Sequence, residues 1–298
     1  MRGITLKVDV DTLRGTREGV PRLASLLARL QIPATFLFSV GPDHTGRALR
    51  RVFRPGFLSK VRRTSVASNY GLRTLLYGTL LPGPDIGRLC RAQMLAVADR
   101  GFEVGVHAYD HVEWQDGVRQ ASFAWTCEQL QSACEAFERI FGFAPRIHGA
   151  AGWQLNEHVP ALEAALGFEV ASDTRGFEPF QPAGGGTLQL PTTLPTLDEI
   201  VGVNGMQVDT AMHRIFQLSC ALEGPRHHVF TLHAELEGGA YLGQFEALLR
   251  AWREAGFVFC TLSDVARDLD PATLPTSRIR SGSVEGRSGL LALQTRIA

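Results

Sequence analysis

The chain has 298 residues and carries 30 Lys+Arg against 30 Asp+Glu, so its formal charge is zero and nucleic acid is not expected as a partner. It can bury a large core, and its length suits one α/β barrel as readily as two smaller domains; one barrel spanning about 1–270 is expected. Five scattered cysteines, odd in number and without a CxxC pair, read as small apolar residues in a reducing compartment, and no apolar run approaches the ~20 residues of a spanning helix.

The first strand, Ile4–Val8, begins so early that no charged n-region and apolar h-region precede it, which leads us to expect cytoplasmic residence. It runs into Asp9-Val10-Asp11, where residues two apart in a strand share a face and converge just beyond its carboxyl end. A helix is expected over Arg17–Leu30 and a strand over Ala34–Phe38. From His44 to Pro84 there are eight basic residues, Arg47, Arg50, Arg51, Arg54, Lys60, Arg62, Arg63 and Arg73, and no acid; apolar residues interleave them, so the stretch reads as a surface insertion. A helix over Ile86–Arg100 and a strand over Phe102–Val106 follow. That strand ends in His107-Ala108-Tyr109-Asp110-His111, two histidines four apart that one helical turn brings together.

Next come a helix over Ala121–Phe141, a strand over Arg146–Gly149 and the segment Ala150-Ala151-Gly152-Trp153. Its small residues permit close backbone approach to a ligand, and Trp153 offers a pocket wall. Then follow a helix over Asn156–Leu166, a strand over Phe168–Ala171 leading to Ser172-Asp173-Thr174-Arg175-Gly176, and a strand over Leu188–Leu190. A helix over Val208–Leu222, a strand over His228–Leu232 leading to His233-Ala234-Glu235, a helix over Gly243–Ala255 and a strand over Phe257–Thr261 complete the pattern. Beyond Asp270 periodicity is lost, and 271–298 reads as an irregular tail. Repeated strand-then-helix units imply a mostly parallel sheet, and seven to eight of them favour a closed or nearly closed, distorted (β/α) barrel. Asp9, Asp11, His107, His148, Asp173 and His233 all fall at or after the carboxyl ends of strands, where such a barrel carries its site.

A hard or borderline divalent cation takes carboxylate oxygen and neutral imidazole nitrogen and, in catalysis, keeps a position open for water. One carboxylate and two histidines suffice, which leaves the second carboxylate free as a base. A haloacid dehalogenase-type phosphatase also uses Asp-x-Asp, but it would need Thr or Val where Leu13 stands and would leave the three histidines without a purpose.

Taken in this order, the motifs closely resemble the NodB-homology polysaccharide deacetylases, carbohydrate esterase family 4. The specific markers are Val8 through Pro21, Ser39-Val40-Gly41-Pro42-Asp43, Ala150 through Trp153, Leu194-Pro195-Thr196-Leu197-Asp198-Glu199 and His233-Ala234-Glu235. They point to a branch that removes the formyl group from undecaprenyl phosphate-linked 4-deoxy-4-formamido-L-arabinose for lipid A modification and resistance to cationic peptides and polymyxin. An N-deacetylase of another cytoplasmic sugar is the alternative.

The resemblance implies Asp9 as base, Asp11, His107 and His111 as ligands of one divalent ion (zinc, manganese, cobalt or nickel), His233 as acid and Asp173 as the carboxylate that orients it. The roles of Asp9 and Asp11 remain exchangeable at this point. Arg14, Tyr109, His148, Trp153, Arg175 and Glu235 are candidate substrate contacts. The family's third motif normally supplies an arginine beside the base, yet His148 stands there; Arg14 or Arg175 either replaces that contact or binds the substrate's phosphate. Because the implied lipid stays in the bilayer, Arg50, Arg51, Arg54, Lys60, Arg62 and Arg63 are expected to dock the protein on the anionic inner face of the inner membrane, at about 1 kcal/mol for each basic residue near it.

Overall fold

In a computed structural model, residues 2–48, 73–221 and 227–297 are described. The six membrane-contact candidates from Arg50 to Arg63 lie outside them. Eight strands form one sheet: β1 (Gly3–Val10), β2 (Thr35–Ser39), β3 (Glu103–Ala108), β4 (Ile147–His148), β5 (Val170–Ala171), β7 (Leu188–Gln189), β8 (His227–His233) and β9 (Val258–Cys260). The spatial order is β7-β5-β4-β3-β2-β1-β8 and all pairings are parallel, with β9 lying against the first half of β1. Between β7 and β8 the curled sheet stays open, but Thr193 spans the seam by donating its N–H to Val229 O at 3.1 Å. The result is the distorted (β/α) barrel expected.

Alternation along β1 explains how the barrel is filled. Ile4, Leu6, Val8 and Val10 point outward and pack in the main core with Phe36, Phe38, Val106, Phe230 and Leu232. Over these lie the helices α1 (Val20–Leu30), α2 (Arg91–Ala98), α4 (Phe123–Phe141), α6 (Val208–Ser219) and α7 (Leu242–Glu254). Thr5, Lys7 and Asp9, on the opposite face, point into the barrel and are equally buried. The barrel floor is apolar: Leu37, Ile147, Val170, Leu190 and Val229 pack against Leu262 and Val265 of α8 (Leu262–Asp268), whose Thr261–Asp264 capping box fixes its start. Above this floor the inner face turns polar with Lys7 and Asp9, while at its lower edge the Leu262 N–H donates to Thr35 Oγ1 and Glu103 Oε2, both at 3.1 Å.

Two elements differ from expectation. The segment after β3 forms α3 (His111–Gly117), because the Asp110 carboxylate accepts from Val112 and Glu113 N–H at 3.1 Å and starts a helix immediately at His111. The 271–298 stretch, expected to be irregular, holds an antiparallel hairpin of β10 (Thr276–Gly282) and β11 (Leu291–Arg296), with β10 pairing alongside β6 (Gln181–Pro182). The hairpin's buried positions include Ser277, Ala292 and Gln294, small or polar residues that conceal the alternation of a strand. Between 142 and 166 a short helix, α5 (Val159–Ala165), completes the barrel wall.

Candidate active site

At the carboxyl rim, Asp9 pairs in register with His233 of β8, while β3 delivers His107 and α3 delivers His111. Asp11 Oδ1 lies 3.3 Å from His107 Nε2 and 3.5 Å from His111 Nε2, and the three donor atoms fall within 4.8 Å of one another. His107 Nδ1 is engaged by Gly149 O at 2.6 Å, which fixes the tautomer and directs Nε2 at the cluster. Burial pushes the Asp11 carboxyl up, but His111, His107 and His233 outweigh it and hold it well below the usual carboxylate range. Its Oδ1 is buried without a hydrogen-bond partner. An orphaned carboxylate oxygen facing two imidazole nitrogens is a donor set that fits a divalent ion.

Asp9 is 2% exposed, with Oδ1 3.8 Å from His107 Nδ1 and Oδ2 3.5 Å from Lys7 Nζ. Arg14 and Arg175, the two expected arginines, do not reach it. Arg14 pairs with Glu18 at 3.1 Å, and Arg175 pairs with Glu199 at 3.2 Å while lying over the Trp153 ring. The wholly buried Lys7 was overlooked by sequence reasoning, although a lysine within an apolar strand, two residues from Asp9 on the same face, is itself a signal.

Asp173 does not orient His233, contrary to the expectation. Its Oδ1 accepts from Ala150 N–H at 2.7 Å, its Oδ2 accepts from Gln189 Nε2 at 2.7 Å, and His148 Nδ1 lies 3.2 Å away. His148 also contacts Glu163 Oε1 at 2.5 Å. All three residues are at most 1% exposed, so His148 cannot contact substrate as expected; it belongs to a sealed triad. Burial alone would lower His148, but Asp173 and Glu163 raise it to about 9. Burial and the Asp173 charge push Glu163 up to about 8. Burial opposes ionisation of Asp173, yet His148 holds it down at about 2. Near pH 7 the triad is therefore an imidazolium–carboxylate pair beside a neutral carboxyl. Through Ala150 N–H it secures the loop that carries Gly149 O, the orienting contact of His107.

The carboxylate within 4 Å of His233 Nδ1 is that of Asp198, at 3.9 Å. The His233 N–H donates to Glu237 Oε2 at 2.9 Å, and burial pushes the Glu237 carboxyl up to about 8. Asp198 is flanked by Arg287, which lies in the turn between β10 and β11: Nη1 reaches Asp198 Oδ2 at 2.9 Å, and the guanidinium sits 4.5 Å from the Trp153 ring centroid. Leu194 through Glu199 marked the resemblance, but nothing local in the sequence assigned Asp198 a role or brought Arg287 to the rim.

Trp153 is 1% exposed and donates Nε1–H to Thr192 Oγ1 at 3.2 Å. Gly152 and Trp153 both have positive φ, 62° and 52°, strained for a tryptophan and stabilised by this enclosure. It therefore underlies the charged rim and does not offer the open face expected of a pocket wall. Glu235, another expected substrate contact, is a clamp: Oε1 accepts from Thr12 N–H at 2.9 Å, Thr12 Oγ1–H at 2.8 Å and Asp11 N–H at 3.2 Å. Burial raises its carboxyl well above the usual range. Gly15 must lack a side chain here, since a Cβ would lie 1.9 Å from Glu235 Oε1. Tyr109 and Arg14 remain partly exposed near the rim.

Comparison with known proteins fits this arrangement. A probable 4-deoxy-4-formamido-L-arabinose-phosphoundecaprenol deformylase ArnD from Shewanella sediminis (strain HAW-EB3) is 34% identical over 291 residues, covering 98% of this chain and 94% of its own. A protein of the same name from Wigglesworthia glossinidia brevipalpis is 32% identical over 289 residues, covering 95% and 99%. No family model matches the chain. Among solved structures, a polysaccharide deacetylase from Mycobacterium smegmatis superposes with a TM-score of 0.65 at 15% identity, over 95% of this chain and 96% of that one; a similarity so distant shows the fold alone. The chain therefore belongs to the 4-deoxy-4-formamido-L-arabinose-phosphoundecaprenol deformylase family, and it is an amide hydrolase on a NodB-type barrel.

Proposed function

We propose that the protein hydrolyses the formamide of undecaprenyl phosphate-linked 4-deoxy-4-formamido-L-arabinose, releasing formate and the lipid-linked amino sugar for lipid A modification and polymyxin resistance. The observation that carries this reading is the convergence of Asp11, His107 and His111 between the buried Asp9 and His233. Asp11 Oδ1, His107 Nε2 and His111 Nε2 would hold one divalent ion, a set open to zinc, manganese, cobalt or nickel. Such an ion would polarise the formyl carbonyl and make an attacking water more acidic.

The remaining steps belong to the side chains. Asp9 Oδ1, buried and without a hydrogen-bond partner, accepts the proton that the water loses as its oxygen bonds to the formyl carbon. His233, with Asp198 at its Nδ1 and its backbone anchored by Glu237, donates a proton to the sugar nitrogen as the C–N bond breaks. Formic acid and a neutral amine leave with Asp9 protonated and His233 neutral; the acid then ionises to formate, its proton passing to solvent or to the amine, so atoms and charge balance.

Access from a membrane is consistent with where the basic insertion leaves the fold. Its flanks, tied by Gly46 N–H to Tyr77 O at 2.9 Å, follow β2 at the same rim where Gly41 N–H meets Tyr109 O at 2.8 Å. We assign contact with the anionic surface to this stretch on its charge, eight Lys/Arg and no acid between His44 and Pro84; among the described residues no helix is long and apolar enough to cross a membrane.

The test is product analysis with the lipid-linked formamido sugar. Formate is expected in equal amount with the free amine. Asp9→Asn and His233→Ala should each lose at least about 100-fold in turnover while retaining metal. Phosphate release without formate, or faster release of acetate from the N-acetyl analogue, would overturn the assignment.

A further inference from the structure

A lysine with no exposed surface in the centre of a parallel strand requires a compensating anion, because an unpaired ammonium is not tolerated in an apolar interior. Lys7 extends into the barrel above the apolar floor, its stem alongside Gly149. A Cβ at Gly149 would lie 2.9 Å from Lys7 Cε and 2.4 Å from Leu37 Cδ1, so the missing side chain provides the channel. At the end of that channel Nζ donates to Ser172 O at 2.8 Å, lies 3.5 Å from Asp9 Oδ2 and sits 5.3 Å from the Trp153 ring centroid. Among the described residues no other lysine or arginine lies within 4 Å of Asp9. His148, at the third-motif position, turns to Glu163 and Asp173 instead.

We infer that Lys7 is the positioning residue of Asp9. Its ammonium restrains Oδ2, so that Oδ1, the oxygen without a hydrogen-bond partner, is the one held toward the His107 side to receive the proton. The cation that supports the base thus comes from the base's own strand, two residues upstream, where the strand period places both on one face. This inference rests on the proposed role of Asp9 as base.

Charge and hydrogen bonding separate in two substitutions of the holoenzyme. Lys7→Gln retains a donor for Ser172 O but no charge, whereas Lys7→Arg retains the charge. Deformylation of the lipid-linked sugar by Lys7→Gln should fall about 100-fold in kcat, with KM and bound metal within about twofold of the parent, and Lys7→Arg should regain most of the loss. In an Asp9→Asn background Lys7→Gln should cost less than about threefold more, since the group it serves is already disabled. That double variant buries no unpaired charge, so its thermal melt also shows whether a poorly folded Lys7→Gln failed through an uncompensated Asp9. Parental turnover in Lys7→Gln, or an equal loss in the presence and absence of the Asp9 carboxylate, would overturn the inference while leaving the function intact. Parental turnover in Asp9→Asn alone would instead remove the base assignment on which it rests.

Discussion

Replacing Asp173 with asparagine distinguishes a structural triad from a catalytic one. In the wholly buried cluster, the Asp173 carboxylate accepts two hydrogen bonds at 2.7 Å and faces the His148 imidazolium. Its pKa, held at about 2 against a usual 3.8, corresponds to about 2 kcal/mol of stability at neutral pH, and breaking a buried ion pair by removing one partner typically costs about 3–5 kcal/mol. Asp173→Asn should therefore destabilise the fold by about 2–5 kcal/mol. For a domain of this size that is a drop in Tm of roughly 5–15 °C, measured by circular dichroism at pH 7. Well below the new Tm, formate release should decline by less than about fivefold, because no atom of Asp173 approaches His233. Asp198→Asn should do the reverse where it matters: turnover falls at least about tenfold, because the carboxylate 3.9 Å from His233 Nδ1 is lost. A parental Tm in Asp173→Asn together with a collapse of turnover would refute this reasoning and restore Asp173 as the partner of the acid.

The same triad sets an alkaline limit on stability. Glu163 and His148 are raised to about 8 and about 9, so the stability they contribute is complete below their unfolded values of 4.5 and 6.5 and is lost as pH rises through 8 and 9. Tm should fall between pH 7 and 9.5, and fall less in Glu163→Gln, which imitates the neutral carboxyl; identical slopes would contradict the assigned protonation. His107→Ala should lower bound metal and activity together, as read by elemental analysis, and full occupancy in that variant would remove His107 from the ligand set. Arg287→Met should reduce turnover several-fold by freeing Asp198 from the cation that fixes it, and an unchanged rate would reduce the hairpin to a covering element. Glutamine at Arg50, Arg51, Arg62 and Arg63 should weaken binding to anionic liposomes and slow turnover of the lipid-linked sugar while sparing a short-chain soluble analogue. Binding by the parent should fall as salt rises, because exposed charges are screened over ~8 Å at physiological ionic strength.

The barrel was legible because its strands are buried on both faces: runs such as Ile4–Val8 and His228–Leu232 stand out against amphipathic helices, and each of the eight expected strands has its counterpart in the sheet. The meeting of Asp11 with His107 was legible too, since strand ends of a parallel barrel share one rim; the single helical turn expected to join His107 and His111 is absent, because His107 lies in β3 and Asp110 starts the helix only at His111. The assignments that depended on side-chain reach were not. Whether Asp173 turns toward His233 or His148 depends on Glu163, a residue of α5 that no spacing rule connects with either histidine. Arg287 arrives from a hairpin whose inward positions are filled by Ser277 and Gln294, so neither the strands nor their packing against Phe177 and Glu178 N–H could be read from hydrophobic alternation. Lys7 was visible from the start as a charge inside an apolar run, and only the geometry gives it a partner.

Anomalous diffraction from crystals of the metal-loaded protein locates the ion independently of activity and decides whether Asp11, His107 and His111 are its ligands. One strong peak is expected at about 2.0–2.2 Å from Asp11 Oδ1, His107 Nε2 and His111 Nε2, with Asp9 beside it but not bound. A peak held by Asp9 in place of Asp11, or one at His44, Asp110 and Glu113 with the Asp11 cluster empty, would contradict this ligand set.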